Sequence, residues 1–584
     1  MNRFDQGIRS ALIAVSLVAA VGAFNADAKM RKRASQAITA AVFTAHVEGL
    51  ASDDLAGRSP GSDGERKTIE YLEKEFLELG LQPAAGGDFR QDVALVEIAG
   101  SGQALSFRKG GGGMSLAQGD DMVIGSRRVQ PAATIVDSEM VFVGYGIRAP
   151  DYGWDDYAGI DMRGKTALIL VNDPGFVTGD ESLFRGRAMT YHGRWTYKFE
   201  EASRQGAAAA IIVHETAPAS YDWEVVRNSW SGPQFYLDSA DGNADRTQLE
   251  GWITESRARQ LVELAGLDFD ALKAAAVQRG FRPVPLGVTA SGGVRNTIRH
   301  KRSPNIAGLM PGKDRPDEYI VYMGHWDHLG VDDGTEGDRI YNGAVDNATG
   351  VAGMLTIARA YRDLLPGASR SVLFLAVTAE ESGLLGSEYY VEHPLAPLEK
   401  TAAVINIDAL VPLGRARDIE VVGYGASELE DLLADAAKVQ KRSLTPDRRS
   451  EAGYFYRSDH FNFAKVGVPA LYVKSGTQLR DRPEGAGQAL LDDYYAQRYH
   501  KSGDEYSEDW DVRGTVEDLR LLFEVGARVA SEDAWPEWRA GNEFRPAREK
   551  SAKSRARRQG RLGLRAAAQG PRQQADGREQ QVRP

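Results

Sequence analysis

The chain has no cysteine in 584 residues. That excludes disulfides, thiolate metal sites and a cysteine nucleophile, so any metal has to be held by His, Asp and Glu. Long hydrophobic runs are missing as well. The longest candidate, Ser10–Phe24, is 15 residues, short of the ~20 that span a bilayer. Positive charge is in deficit: 71 Lys and Arg face 82 Asp and Glu, a net −11. Arg545–Pro584 alone holds 12 Lys/Arg and 3 Asp/Glu, so the rest of the chain carries −11 − 9 = −20. An acidic body argues against a nucleic-acid partner, because phosphate binding needs surplus cations. It suits a cation site built from carboxylates. The glycine run Gly110–Gly113 is not followed by Gly-Lys-Ser/Thr, so it reads as a flexible loop and not as a phosphate cradle. No internal repeat is present.

What is there begins with an export signal. Arg3 and Arg9 precede a short apolar run, and Ala26-Asp27-Ala28 has the small-x-small form of a cleavage site. Residues 1–28 are therefore expected to be removed, leaving a periplasmic or extracellular chain with no transmembrane span. Helical spacing of Ile69, Leu72 and Phe76 predicts a helix from about Thr68, stopping near Gly80. From Val136 the texture becomes β-rich, with buried strands expected at Met140–Tyr145, Thr166–Val171 and Ala207–Val213. From Asn305 strands and helices alternate. Tyr319–Met323, Ser371–Thr378 and Ala402–Ile407 read as strands, and Thr349–Leu365 as an amphipathic helix. The fold class is α/β, a three-layer sandwich with a mixed, largely parallel sheet, plus a separate β-rich module. The expected limits are 29–135 and 291–545 for the α/β domain, 136–290 for the module and 546–584 for a basic, disordered tail.

Open α/β sheets place ligands beyond strand C-termini. Here the strands run into His325-Trp326-Asp327-His328, Glu380-Glu381-Ser382-Gly383 and Asn406-Ile407-Asp408. Asp346 begins a helix, and Tyr499-His500-Lys501-Ser502-Gly503-Asp504 follows later. Two histidines and three carboxylates suffice for two zinc ions if one carboxylate bridges. A Glu-Glu pair at a strand end supplies one ligand and one base, because neighbouring side chains diverge. Asp327 reads as the acceptor that orients His325. Taken alone, Asp346 is equally a helix N-cap.

Together these motifs resemble the co-catalytic zinc exopeptidases, the family of bacterial secreted aminopeptidases and glutamate carboxypeptidases. The resemblance runs through GHWDHLG, DNATG, AEESGLLGS, NID and YHKSGDEY, and through GRSPGSDGE and SDHFNFAKVGVPA. It implies two Zn²⁺ ions, one held by His325 and Asp408 and the other by Glu381 and His500, with Asp346 between them. It further implies Glu380 as general base and acid, Asp327 behind His325, a cis Asp346–Asn347 peptide, and Tyr456, Arg457 and His460 on the substrate side, with His460 equally a core histidine. His328 is structural or catalytic. The middle module is similar to a protease-associated domain.

The implied activity is a zinc aminopeptidase that releases N-terminal residues from peptides. A carboxypeptidase acting on acidic C-termini needs a cationic pocket, for which Arg448, Arg449 and Arg457 are the candidates. A glutaminyl cyclase would use a single zinc, and a non-catalytic binding relative would have lost ligands; a complete ligand set counts against both. Peptides are the expected partners, and no motif speaks to the oligomeric state.

Overall fold

The computed structural model describes residues 27–332, 337–364, 367–533 and 535–553. The expected signal segment lies outside them except for its last two residues. Among the described residues no helix is long and apolar enough to cross a membrane.

After a helical segment at residues 27–34 come the helices α1 (Ala40–Leu50) and α2 (Asp63–Glu78). Each starts on a hydroxyl cap: Thr39 Oγ1 accepts from Val42 N and Ser62 Oγ from Glu65 N. The chain then enters the long strand β1 (Arg90–Lys109), followed by β2 (Ala132–Phe142), β3 (Thr166–Leu170), α3 (Trp195–Arg204), β4 (Ala209–His214) and β5 (Leu249–Thr254). A second long strand, β6 (Val284–Met310), returns to β7 (Arg315–His325), α4 (Thr349–Leu364), β8 (Arg370–Val377) and α5 (Leu385–Glu392). The last part holds β9 (Thr401–Asn406), β10 (Asp418–Val421), α6 (Leu429–Val439), β11 (Ala470–Ser475) and α7 (Arg513–Ser531).

One sheet runs through both halves. In the α/β half, β11, β9, β7 and β8 lie parallel in that order, with β6 antiparallel outside β8 and β10 antiparallel outside β11. In the other half, β2, β3, β4 and β5 are parallel, with β6 antiparallel to β2. The joint is a ribbon of β1 and β6, paired antiparallel from Arg90↔Ile306 to Arg108↔Thr289.

Side-chain alternation explains the layers. On β7, Ile320 and Tyr322 face a core shared with α1, α2, α4 and α7, while Val321 and Met323 face the opposite core. β8 divides the same way, with Val372, Phe374 and Ala376 on one face and Leu373, Leu375 and Val377 on the other. Purely apolar strands buried on both faces are what parallel sheets require.

The module is larger than the composition suggests. Its core runs from Leu105 to Val294, so it begins upstream of the limit expected at 136. The reason is that β1 is one unbroken strand passing from one core to the other. Nor is the glycine run wholly loop: Gly112–Leu116 is a strand paired with Leu105–Lys109. The basic tail also starts later than 546. Residues 545–553 are helical, and the buried Arg548 donates to Thr401 O and Ala402 O. Residues 554–584 lie outside the described part.

Candidate metal centre

Parallel register brings the strand ends together. His325 is opposite Val377 and Met323 is opposite Asn406. Glu380-Glu381 and Asp408 therefore emerge beside His325 at one sheet edge.

Asp346 lies at the centre. Its Oδ1 is 3.2 Å from His325 Nε2, and its Oδ2 is 3.1 Å from His500 Nε2. His325 Nε2 also lies 3.6 Å from Asp408 Oδ1 and 4.0 Å from Glu380 Oε2. His500 Nε2 is 3.2 Å from Glu381 Oε2, and the other side of Glu381 meets His328 Nδ1 at 2.6 Å. Ligand atoms of His325, Glu380 and Asp408 form one group within 4.8 Å, and those of His328, Asp346 and Glu381 form another. The structure thus brings together all five expected ligands and Glu380, and it adds His328.

The Asp346 turn is held from three sides. Its peptide with Asn347 is cis. The Asp504 carboxylate accepts N–H bonds from Val345 and Asp346. Asn347 Nδ2 donates to Ile407 O, and Asn347 Oδ1 accepts from Gly350 N and Ala409 N, tying the turn to the Asp408 loop. A Cβ on Gly350 would come within 2.1 Å of Asn347 Oδ1 and 2.3 Å of Ile407 O, so only glycine allows this approach. Ser458 Oγ donates to Asp408 Oδ2 at 2.5 Å. Behind the cluster, the buried Arg58 donates to Leu50 O, Trp326 O, Asn342 O and Gly343 O.

Two sequence expectations are corrected, those for Asp327 and Tyr456, and His460 takes its alternative place in the core. His325 Nδ1 faces the backbone carbonyl of Asp327 at 3.1 Å, with the Asp327 carboxylate at 3.8 Å. That carboxylate instead accepts from Glu380 N at 3.1 Å and Glu381 N at 3.4 Å, so it positions the Glu-Glu pair. Tyr456 is buried and turned away, its hydroxyl donating to Glu543 Oε1 at 2.7 Å. His460 is wholly buried beneath the site, edge-on to Phe455 and beside Tyr472; burial alone lowers its pKa to about 3. Arg457 does remain near the cluster, next to Ser458. Arg448 is already paired with Glu420 and Asp418. Arg58, Asp504 and Ser458 carry roles that no spacing announces. Their signal is contact with chain segments far away in sequence.

The electrostatics match a cation site. Burial alone would depress the His325 imidazole, yet Glu380, Asp346 and Asp408 outweigh it and raise its pKa well above the ordinary value. His500 is raised in the same way, with burial opposed by Glu381 and Asp346. Burial, with Glu381 and Asp408 adding repulsion, pushes the Glu380 carboxyl well up. So many buried carboxylates repel one another unless cations intervene. Imidazole and carboxylate oxygen are the donor types that bind Zn²⁺.

Among curated proteins, Aminopeptidase NAALADL1 of Mus musculus is 34% identical over 140 residues, covering 23% of this chain and 17% of its own length. Probable glutamate carboxypeptidase VP8 of Zea mays is 30% identical over 399 residues, covering 63% of this chain and 49% of its own. The chain therefore spans half or less of these relatives. Among solved structures, an aminopeptidase from Aneurinibacillus sp. strain AM-1 superposes with a TM-score of 0.48 at 20% identity, over 86% of this chain and 97% of that one. Residues 305–523 match the model of Peptidase family M28. The matched segment holds the whole cluster, His325, Asp346, Glu380, Glu381, Asp408 and His500.

Proposed function

We propose that the protein is an exported metallo-exopeptidase that uses two Zn²⁺ ions and releases N-terminal residues from peptides. One observation carries this reading: the two oxygens of Asp346 face two different imidazoles, His325 and His500. A single carboxylate placed between two ligand sets is the arrangement that two neighbouring cations need. His325 and Asp408 would hold one ion, Glu381 and His500 the other, with Asp346 shared. Two such ions polarise a carbonyl and make a water acidic near neutral pH.

The chain's own residues do the rest. Glu380 stands 4.0 Å from His325 Nε2; it takes a proton from the attacking water and returns it to the leaving amine. Asp327 fixes the Glu380 backbone through the 3.1 Å bond to its N–H. Asp504 and Asn347 hold Asp346 in place. The acidic cluster also favours a substrate's protonated α-amino group, which fits an aminopeptidase. The middle module, a protease-associated-like insert in this reading, borders the cleft: Met189 N donates to Ser450 O, and Lys465 pairs with Glu200 at 3.9 Å.

The test is a mixed peptide pool incubated with protein and Zn²⁺, with chelator, or with the Glu380→Gln variant, read by mass spectrometry. Loss of N-terminal residues that both chelator and substitution abolish is the expected result. Shortening from the C-terminus would replace the reading by a carboxypeptidase, the activity in the printed name of the Zea mays relative. Ammonia loss without shortening would indicate a cyclase. No change at all, in protein holding two zinc ions, would overturn the peptidase reading.

A further inference from the structure

Three imidazoles crowd the Asp346 turn, and their distances from the carboxylates sort them into two kinds. Zinc bonds of about 2.0–2.2 Å at a tetrahedral angle hold two ligand atoms roughly 3.3–3.5 Å apart. His325 Nε2 to Asp346 Oδ1, His500 Nε2 to Asp346 Oδ2 and His500 Nε2 to Glu381 Oε2 measure 3.2, 3.1 and 3.2 Å, close to that spacing. His328 Nδ1 to Glu381 Oε1 measures 2.6 Å. Two atoms that near do not fit around one tetrahedral ion, whereas a short hydrogen bond to a carboxylate has this length. A ligand atom of His328 does lie within 4.8 Å of those of Asp346 and Glu381. The separation nevertheless makes His328 a donor to Glu381 and not a further ligand.

The ring is fixed for that contact. The His328 backbone N–H donates to Arg58 O at 3.4 Å, and the side chain is wholly buried. One face lies on Gly343, where a Cβ would come within 2.5 Å of the ring's Cγ and Cδ2. The His500 ring stands edge-on at 5.8 Å. His328 Nε2 is buried without a hydrogen-bond partner among the described residues. A proton there would be a buried donor with no acceptor, so the ring carries its proton on Nδ1, aimed at Glu381.

A carboxylate with one oxygen so engaged has one left for a metal. That oxygen, Oε2, is the one facing His500. His500 is the exposed member of the set, with 38% of its side chain in solvent against 1% for His325. The more firmly held ligand on this side is therefore Glu381. Asp327 accepts the Glu381 backbone N–H, and His328 holds the far end of the side chain.

We propose that His328 is a positioning residue for the metal ion shared by Glu381 and His500: its Nδ1–H engages Glu381 Oε1 and so leaves Oε2, in a fixed direction, to bind the ion. This rests on the two-zinc exopeptidase reading and deepens it.

Two amides separate this role from packing alone. Asn can bring its Nδ2–H to the place of the imidazole Nδ1, whereas the longer Gln carries its amide to the place of Nε2. The test titrates zinc into the metal-free full chain against a chromophoric chelator and reads both binding steps. It compares wild type with His328→Asn, His328→Gln and His328→Ala, and Glu381→Gln marks which step belongs to this site. In the His328→Gln and His328→Ala variants that step should weaken about 10–100-fold, the usual cost of losing a partner behind a ligand. The other step should stay as in wild type, and His328→Asn should recover most of the loss. With Co²⁺ in place of zinc, the visible bands of the affected site should shift in the Gln and Ala variants and return in the Asn variant. Thermal melts without metal identify any variant that has lost the fold, and the remaining variants then decide. Equal affinities in all His328 variants would overturn the role. So would an equal loss in the Asn and Gln variants, or an equal loss of both ions. A wild type that binds two ions while every His328 variant matches it fails this role and leaves the two-zinc reading standing. A wild type that binds no second ion fails that reading, and this role with it. Peptide cleavage measured alongside bears on the exopeptidase reading alone.

Discussion

The carboxylate of Asp504 accepts the backbone N–H of Asp346 at 3.1 Å. One acidic residue thus fixes another, which itself faces two imidazoles. Asp504 also takes the Val345 N–H, so the turn that presents Asp346 has little freedom of its own. Partners behind metal ligands commonly carry a factor of 10–100 in metal affinity. Asp504→Ala should therefore weaken zinc binding by roughly that factor while leaving the fold intact. Competition titration against a fluorescent chelator, with circular dichroism alongside, reads both.

Glu380→Gln should separate chemistry from assembly. The amide keeps the size and removes the proton acceptor, so turnover should fall by about 10²–10⁴. Zinc content by elemental mass spectrometry should stay near that of wild type. A variant that lost both ions along with its activity would show Glu380 to be a ligand and not the base.

Removing metal should destabilise the whole α/β half. Asp346, Glu380, Glu381 and Asp408 crowd around His325 and His500, and without metal only the two imidazoles, their pKa values raised, offset this repulsion. Zinc at a thousand times its dissociation constant would add about 4 kcal/mol by mass action. The melting temperature in chelator should drop and recover on adding Zn²⁺.

Arg58 is a structural counterweight. Its guanidinium answers four backbone carbonyls from three chain segments. Arg58→Met removes this donor from all four, of which Gly343 O keeps the Ala348 N–H, and Arg58→Lys has too few fixed donors to serve them. Methionine should cost about 3–5 kcal/mol in urea unfolding, as when one partner of a buried charged pair is removed, with lysine intermediate.

Acid should weaken the fold away from the metal as well. His46 is largely buried, its Nδ1 2.7 Å from Tyr71 Oη, and burial, aided by Arg359, lowers its pKa from 6.5 to about 4. Its native form stays neutral where the unfolded chain gains a proton. Stability is then lost as pH falls from 6.5 towards 4, on the order of 1–2 kcal/mol by pH 5. Replacing His46 with Gln should flatten the pH dependence of urea unfolding over that range.

Much of this centre is legible in the sequence because buried strands announce themselves. YIVYM, SVLFLAV and AAVINI end abruptly on His325, Ala379-Glu380 and Asp408, and parallel pairing brings such ends to one edge. The turn at Asp346 and the loop at His500 are placed by the motifs around them. What spacing misses are contacts made through space. Arg58 reaches Gly343 across 285 positions, and nothing local distinguishes it from a surface arginine. The role of Asp327 shifts because side-chain direction, not proximity in sequence, decides which group it meets. Tyr456 and His460 sit beside Arg457 in the chain, yet a short turn at Tyr454–Tyr456 and the buried start of the helix at His460 point them elsewhere. The module limit is hidden because β1 continues unbroken from one core into the next.

The ribbon of β1 and β6 also governs how the cleft can breathe. Units joined by a flexible linker swing like a hinged door. Here the module is joined to the α/β half through two hydrogen-bonded strands, so moving it away from the Ser450 and Lys465 contacts means flexing the ribbon itself. Its pairing slips between Gly293 and Arg295, and such irregularities are where paired strands bend most readily. Compliance concentrated at that slip would let the mouth of the cleft yield slightly to an incoming peptide.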